Sequence, residues 1–219
     1  MRRRHGDSAE PAVQFAGIVG YNRPDMTEPT VPKEEVIPVC MARADLEGIP
    51  DAPLPPPLAL RCFAPGDERT WTDIWTRCER YHRITPQTFA AEFGSDADAL
   101  ARRQLFLLDG DGRAIGTATA WFGDEPHGSV CGRVHWVGIV PEMQGRGLSR
   151  PLLAAVLQRM RALGCHSSFL HTHSVRTPAI RLYLSFGFLP EVRNERERQA
   201  WLDVRRRIAP SRLDEINTP

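Results

Sequence analysis

Apolar positions along the chain fall into short blocks whose period changes from two to between three and four and back. Leu58-Ala59-Leu60-Arg61-Cys62-Phe63 has the texture of a strand, and Ala64-Pro65-Gly66-Asp67 turns it into a helix through Trp71, Ile74, Trp75 and Cys78. Thr85-Pro86 opens a second helix with Thr85 as N-cap and Pro86 at the first helical position. Ile84 and Phe89 are placed as a hydrophobic staple, and the helix stops near Gly94. Leu105-Phe106-Leu107-Leu108, the turn Asp109-Gly110-Asp111-Gly112 and the run Ala114 to Trp121 predict a hairpin. After the polar turn Asp124-Glu125-Pro126-His127-Gly128, a further strand is expected from about Val130 to Val140. A helix from Leu148 to Leu163, a strand from Ser167 to Thr172, a helix from Pro178 to Phe186 and a strand from Phe188 complete the order. This is α/β with a mixed, mostly antiparallel sheet. The three-strand meander lacks the crossover helices of a doubly wound nucleotide fold.

Two flanking segments read differently. Ten of the 19 prolines precede residue 58, ending in Pro53-Leu54-Pro55-Pro56-Pro57, so residues 1–56 are expected to form an irregular arm. Within it Val36-Ile37-Pro38-Val39-Cys40-Met41 is apolar enough to pack on the domain as an edge or partner-facing segment. The domain itself is expected over 57–192. Residues 193–219 are read as an amphipathic helix, about Asn194 to Ile208, laid on the domain through Trp201, followed by a tail.

Composition narrows the function classes. The 219 residues carry 28 Lys+Arg against 27 Asp+Glu, without the basic surplus of a nucleic-acid binder. No run approaches the roughly 20 apolar residues of a membrane span, and no signal-peptide core follows the N-terminal Arg2-Arg3-Arg4, so neither membrane nor nucleic acid is an expected partner. The five cysteines stand singly and read as reduced thiols of a cytoplasmic protein, and no metal site is expected. Lys33 is the only lysine, a bias expected of a GC-rich genome.

The chemistry-bearing stretch is Val137 to Arg150. A strand runs into Pro141, a glycine-rich loop follows, and an amphipathic helix begins whose buried face includes Leu148, Leu152, Leu153, Val156, Leu157 and Met160. Glycines at 145 and 147 permit close backbone approach, and a helix start presents unpaired N–H groups, a combination suited to an anion such as phosphate. The Lys-Ser/Thr of a nucleoside-triphosphate loop and the G-x-G-x-x-G pattern are both absent.

At this stretch the sequence resembles the GNAT superfamily of acetyl-CoA-dependent N-acyltransferases. Gln144, Gly147 and Ser149 occupy the three fixed places of its Gln/Arg-x-x-Gly-x-Gly/Ala signature, Ser149 being a departure. A second element, Ala-x-x-Leu-Tyr-x-x-x-Gly-Phe, is matched by Ala179, Leu182, Tyr183, Gly187 and Phe188. The resemblance covers about Leu58 to Val192. It implies a sheet whose fourth and fifth strands splay apart around acetyl-CoA. It also implies that Gly145, Arg146, Gly147, Leu148, Ser149 and Arg150, with Gln144, meet the pyrophosphate. Val137, Gly138 and Ile139 would meet the pantetheine and acetyl group, and an amide N–H near Ile139 would stabilise the oxyanion. Tyr183 is implied as the acid that protonates the departing thiolate. His171, where several members carry a glutamate, is the first choice for base, with His173, His135 and Glu142 as competing candidates. Many members carry Asn where this chain has Arg176, a position implied to contact the cofactor.

The expected activity is acetyl transfer from acetyl-CoA to a primary amine on a small molecule or peptide, by direct attack through a tetrahedral intermediate, with a homodimer left open. Two other readings stand beside it: an acyl-CoA-binding regulatory module without catalysis, and a toxin-type acetyltransferase acting on aminoacyl-tRNA.

Overall fold

The computed structural model describes residues 36–124, 127, 128 and 130–208. The strands are β1 (Pro38–Arg43), β2 (Ala59–Cys62), β3 (Gln104–Leu108), β4 (Ala114–Trp121), β5 (Cys131–Ile139), β6 (Ser167–His173) and β7 (Leu189–Glu191). The helices are α1 (Asp67–Cys78), α2 (Pro86–Phe93), α3 (Ala97–Arg103), α4 (Ser149–Ala162), α5 (Thr177–Ser185) and α6 (Glu195–Arg207). One sheet runs in the order β2-β3-β4-β5-β6-β1-β7, antiparallel at every pairing except β5 with β6. The mixed, mostly antiparallel α/β architecture expected from the sequence is therefore observed.

Local chemistry sets the helix ends. Thr85 and Thr88 close a capping box at α2, with Pro86 in the first turn. Asp67 opens α1 by accepting from the Ala64 N–H and from Arg61, which approaches at 2.5 and 2.8 Å. Asn194 caps α6 by accepting from the Glu197 N–H, and Ala200, Trp201 and Val204 form its buried stripe, as the sequence predicts. One helix is additional. The seven-residue α3 buries only Ala99 and Leu100, too few positions to show a period, and Asp96, which accepts from the Ala99 N–H at 2.9 Å, is its one local signal.

Two apolar layers cover the sheet. On one side Trp71 of α1 packs edge-on against Phe89 and Phe93 of α2 and, with Trp75, against Trp136 of β5, while the Trp71–Trp75 and Phe89–Phe93 pairs are tilted. On the other, α4 buries Leu152, Leu153, Val156, Leu157 and Met160, and a methyl group at Gly132 of β5 would meet Met160 Sδ at 2.8 Å. The missing side chain at Gly132 is what lets α4 lie this close.

The expected irregular arm over 1–56 needs correction for its last third. Val36–Met41 is not an edge strip. It contributes to β1, an interior strand that pairs with β6 along Pro38↔His173 to Arg43↔Ser168 and with β7 through Cys40, Met41 and Ala42. The proline that argued against a strand stands at its first position, where no preceding ladder bond is lost. The arm before residue 36, the tail after 208 and positions 125, 126 and 129 of the β4–β5 turn lie outside the described residues. Among the described residues no helix is long and apolar enough to cross a membrane, and all five cysteines are unpaired.

Candidate active site

β5 and β6 run side by side for only three residue pairs, Cys131↔Ser167, Gly132↔Ser168 and Arg133↔Phe169. Beyond Arg133, β5 stays with β4, from which it receives a register shift opposite Thr117 to Thr119, and β6 stays with β1. The divergence is fixed at Trp136, a non-glycine residue at φ 52°. Such a backbone costs about 1 kcal/mol or more and persists only when its surroundings hold it. Here they do: the indole N–H donates to Glu92 Oε2 at 2.9 Å, and the ring packs 4.7 Å from Trp75 and 5.0 Å from Trp71. Val137, Gly138 and Ile139 form the free limb of the resulting V. Gly138 has no room for a side chain, since a Cβ there would lie 2.8 Å from the Trp75 ring.

Below the V, the chain makes a 3-10 turn at Pro141–Met143, passes through Gly145 (φ 74°) and Gly147 (φ 75°), and enters α4. Both glycines adopt a conformation that L side chains disfavour, which explains their presence in the loop. No side chain caps the start of α4 and no acidic residue occupies its first turn. Within its first turn Pro151 has no N–H and the Arg150 and Leu152 amides donate to the Gly147 and Leu148 carbonyls, so the Ser149 amide, the loop amides before it and the positive end of the dipole are the groups suited to an anion. Gln144 acts on the protein itself: its side-chain amide donates to the Ile139 carbonyl at 2.8 Å, beside the Cys78 thiol at 3.1 Å, and so ties the loop to the strand. Arg150 donates to Ser185 Oγ at 3.0 Å and lies over the Phe186 ring, and Arg146 is exposed. A cavity of about 330 Å³ opens between residues 146–151 and the segment 51–55.

The expected acid and base lie in separate neighbourhoods. Tyr183 of α5 is buried against Phe188, and burial pushes its hydroxyl up to about 12 despite the opposing charge of Arg176, so it carries its proton at every working pH. His171 is exposed on β6 beside Phe169, directly opposite Cys40 of β1. The groups packed around it and the nearby positive charge of Arg133 pull its imidazole down to about 4, so it is neutral above that pH. Of the competing bases, Glu142 is exposed and paired with Arg77 on the surface. His173 rests against the rings of His82 and Tyr81, also near 4. His135, beside the bulge on β5, is the buried one: its Nε2 is 3.1 Å from Glu92 Oε2, and desolvation outweighs that carboxylate and lowers it to about 4.

Arg176, implied to contact the cofactor, sits at the N-cap of α5 and donates to Glu79 Oε2 at 2.6 Å while covering the Tyr81 ring. Glu79 also accepts from the Arg80 and Tyr81 amides, so this clasp fastens the α1–α2 connection to α5. Sequence reasoning missed Glu92, which no motif marks. It also missed a polar network on the α1–α2 side, in which Arg133 and Asp124 lead to His127, Glu191, Arg193 and Cys40. His127 stacks on Phe169 at 3.8 Å, and the Arg193 guanidinium lies 3.2 to 3.5 Å from Glu191, His127 and Cys40 together. The thiol, imidazole and carboxylate thus converge on a cation that the chain itself supplies.

Comparison with known proteins agrees with this geometry. The sequence model of the acetyltransferase (GNAT) family matches residues 68–188. A mycothiol acetyltransferase from Pseudarthrobacter chlorophenolicus is 33% identical over 192 residues, covering 84% of this chain and 55% of that protein. One from Actinosynnema mirum is 32% identical over 155 residues, covering 67% and 50%. The chain thus spans about half the length of the curated relatives it matches. Among solved structures, a GCN5-related N-acetyltransferase from Sphaerobacter thermophilus superposes with a TM-score of 0.58 at 26% identity, covering 70% of this chain and 48% of that one. The ribosomal-protein-S18-alanine N-acetyltransferase of Escherichia coli shares the fold at a TM-score of 0.52 and 20% identity, over 62% and 79% of the two chains. With a family match over more than half its length, joined to a splayed β5–β6 pair above an uncapped glycine loop, the chain belongs to the GNAT family of acetyltransferases.

Proposed function

We propose that this domain transfers an acetyl group from acetyl-CoA to the primary amine of a small molecule by direct attack on the thioester. The parting of β5 and β6 directly above the uncapped start of α4 carries this reading. It leaves the facing edges of the two strands unpaired with each other, next to a loop chemically suited to a pyrophosphate. The amides of the glycine loop and of Ser149, with the side chains of Arg146 and Arg150, hold the phosphates. The limb Val137–Ile139 lies along the pantetheine, and an amide near Ile139 faces the oxygen on which charge develops. Tyr183, protonated throughout, gives its proton to the thiolate as the C–S bond breaks. The incoming amine gives up its proton on the α1–α2 side of the sheet. There His171 opens to solvent and His135 is held by Glu92, both neutral and able to accept a proton directly or through water.

The preference for a small acceptor rests on the mycothiol acetyltransferases among the relatives, together with the charged groups that flank that side. The Glu79–Arg176 clasp fences one flank and the Glu191–Arg193–His127 network the other. A charged fence of both signs suits a compact polar amine. The test is CoA release across a panel of small amines and peptides, followed by Tyr183→Phe on the best acceptor. Loss of about 10²-fold or more in turnover with acetyl-CoA affinity retained is expected. A Tyr183→Phe enzyme at full rate removes the assigned acid, and tight acetyl-CoA binding without turnover across the panel favours the non-catalytic module.

A further inference from the structure

The cavity of about 330 Å³ beside the glycine loop has one wall that no family motif contains. It is made by Asp51, Pro53 and Pro55, in the connection between β1 and β2, facing Arg146, Gly147 and Arg150 across the opening. The segment alternates: Ala52 and Leu54 are half-buried and pack on the core, and Asp51, Pro53 and Pro55 between them are exposed. It is thus anchored through one face and offers two pyrrolidine rings on the other. Proline rings have almost no side-chain freedom to lose on contact, so such a wall is formed before any ligand arrives.

The opposite wall is cationic. Arg150 is held by the Ser185 hydroxyl and the Phe186 ring, and Arg146 is exposed at the loop. The volume falls at the lower end of the range of small-molecule sites. A cleft with rigid apolar rings on one side and guanidinium groups on the other, that of Arg150 held in place, fits a purine that carries phosphates. Asp51 at the rim sets the orientation, because its carboxylate repels phosphate and leaves the arginine side as the place for negative charge.

We propose that Asp51–Pro55 is the adenosine-binding wall of the acyl-donor site, with the purine against Pro53 and Pro55 and the phosphates on Arg146 and Arg150. This rests on the reading of the glycine loop as the acetyl-CoA site and adds the part of the donor that the loop does not reach. The connection between β1 and β2 thereby sets the preference for a nucleotide-bearing donor over a truncated one.

The experiment compares the affinities of acetyl-CoA and S-acetyl-4′-phosphopantetheine, which lacks the adenosine portion, by calorimetry on the full chain and on its Pro53→Ala/Pro55→Ala variant. The wild type is expected to prefer acetyl-CoA. In the variant the Kd for acetyl-CoA rises about tenfold, the size expected for losing about 50 Å² of apolar contact, and that for the truncated donor is unchanged. Unchanged affinity for acetyl-CoA overturns the proposal. So does an equal rise for both ligands, which would mean that the glycine loop has been disturbed, or a wild type without preference. A wild type that binds neither ligand overturns the acetyl-CoA reading itself.

Discussion

His135 offers a sharp test because its burial has a consequence that can be measured without knowing the acceptor. The imidazole is buried on β5, hydrogen-bonded to Glu92, and held near 4 against an ordinary value of 6.5. Between those two values the unfolded chain binds a proton that the folded chain refuses, so stability falls as pH drops through 6.5 and the loss levels off below 4. A difference of 2.5 in pKa corresponds to roughly 3 kcal/mol in full, of which about 2 kcal/mol is expressed between pH 7 and pH 5. Glu92 also lies below its ordinary value, and its own contribution is lost only as pH falls below about 4.5, outside that window. The perturbation is His135→Gln, which keeps a donor for Glu92 and removes the titration. Urea unfolding of both proteins from pH 7 to pH 5 should show the gap between them shifting by about 2 kcal/mol in favour of the variant at the acid end. His171 and His173 titrate in the same range but are present in both proteins and cancel. Parallel curves would refute the reasoning, because they would mean that the folded protein protonates this histidine as readily as the unfolded chain.

Three further outcomes are expected. Gly138→Ala places a methyl group 2.8 Å from a Trp75 ring already packed against Trp136, so it should cost about 1 to 3 kcal/mol in urea unfolding and weaken acetyl-CoA binding by displacing the free limb of β5. Arg43→Met should cost about 2 to 4 kcal/mol in the same assay, since the buried guanidinium donates to the Asp45, Glu47 and Phe186 carbonyls and methionine replaces none of these bonds. With a confirmed acceptor, the acid limb of kcat/KM attributable to the enzyme should fall near pH 4 rather than 6.5, because both neutral histidines on the acceptor side lie there; a limb near 6.5 in the acceptor-independent groups would remove them as bases.

What could be read from the chain depended on how local the determinants were. The glycine loop was legible because Gly145 and Gly147 record a backbone conformation directly, and α2 because Thr85-Pro86 carries its own start signal. β1 was not, for a physical reason: its residues are buried on both faces, so they show no alternation, and the prolines around them read as an arm. Gln144 stands out in the motif, but its bond to the Ile139 carbonyl was not legible, since a motif position does not say what a side-chain amide faces. The Glu92–His135 pair and the Glu79–Arg176 clasp each join residues from different elements, and nothing in either residue's local sequence marks its partner.

The place of β1 in the sheet also governs the order in which the molecule can be completed. Its neighbours are β6 and β7, so a strand near one end of the described chain must wait for segments more than a hundred residues later before its ladders exist. During synthesis the meander of β2 to β5 and the helices α1 to α4 emerge before β6 and β7 and can assemble from local contacts. Until β6 and β7 emerge, the apolar stretch Val39 to Ala42 lacks both of its strand partners. Closure of the sheet is therefore a late, non-local event. The half of the V that contains β6 acquires its second neighbour only at that step, so the splayed pair is complete with the last strands rather than with the loop that carries the motif.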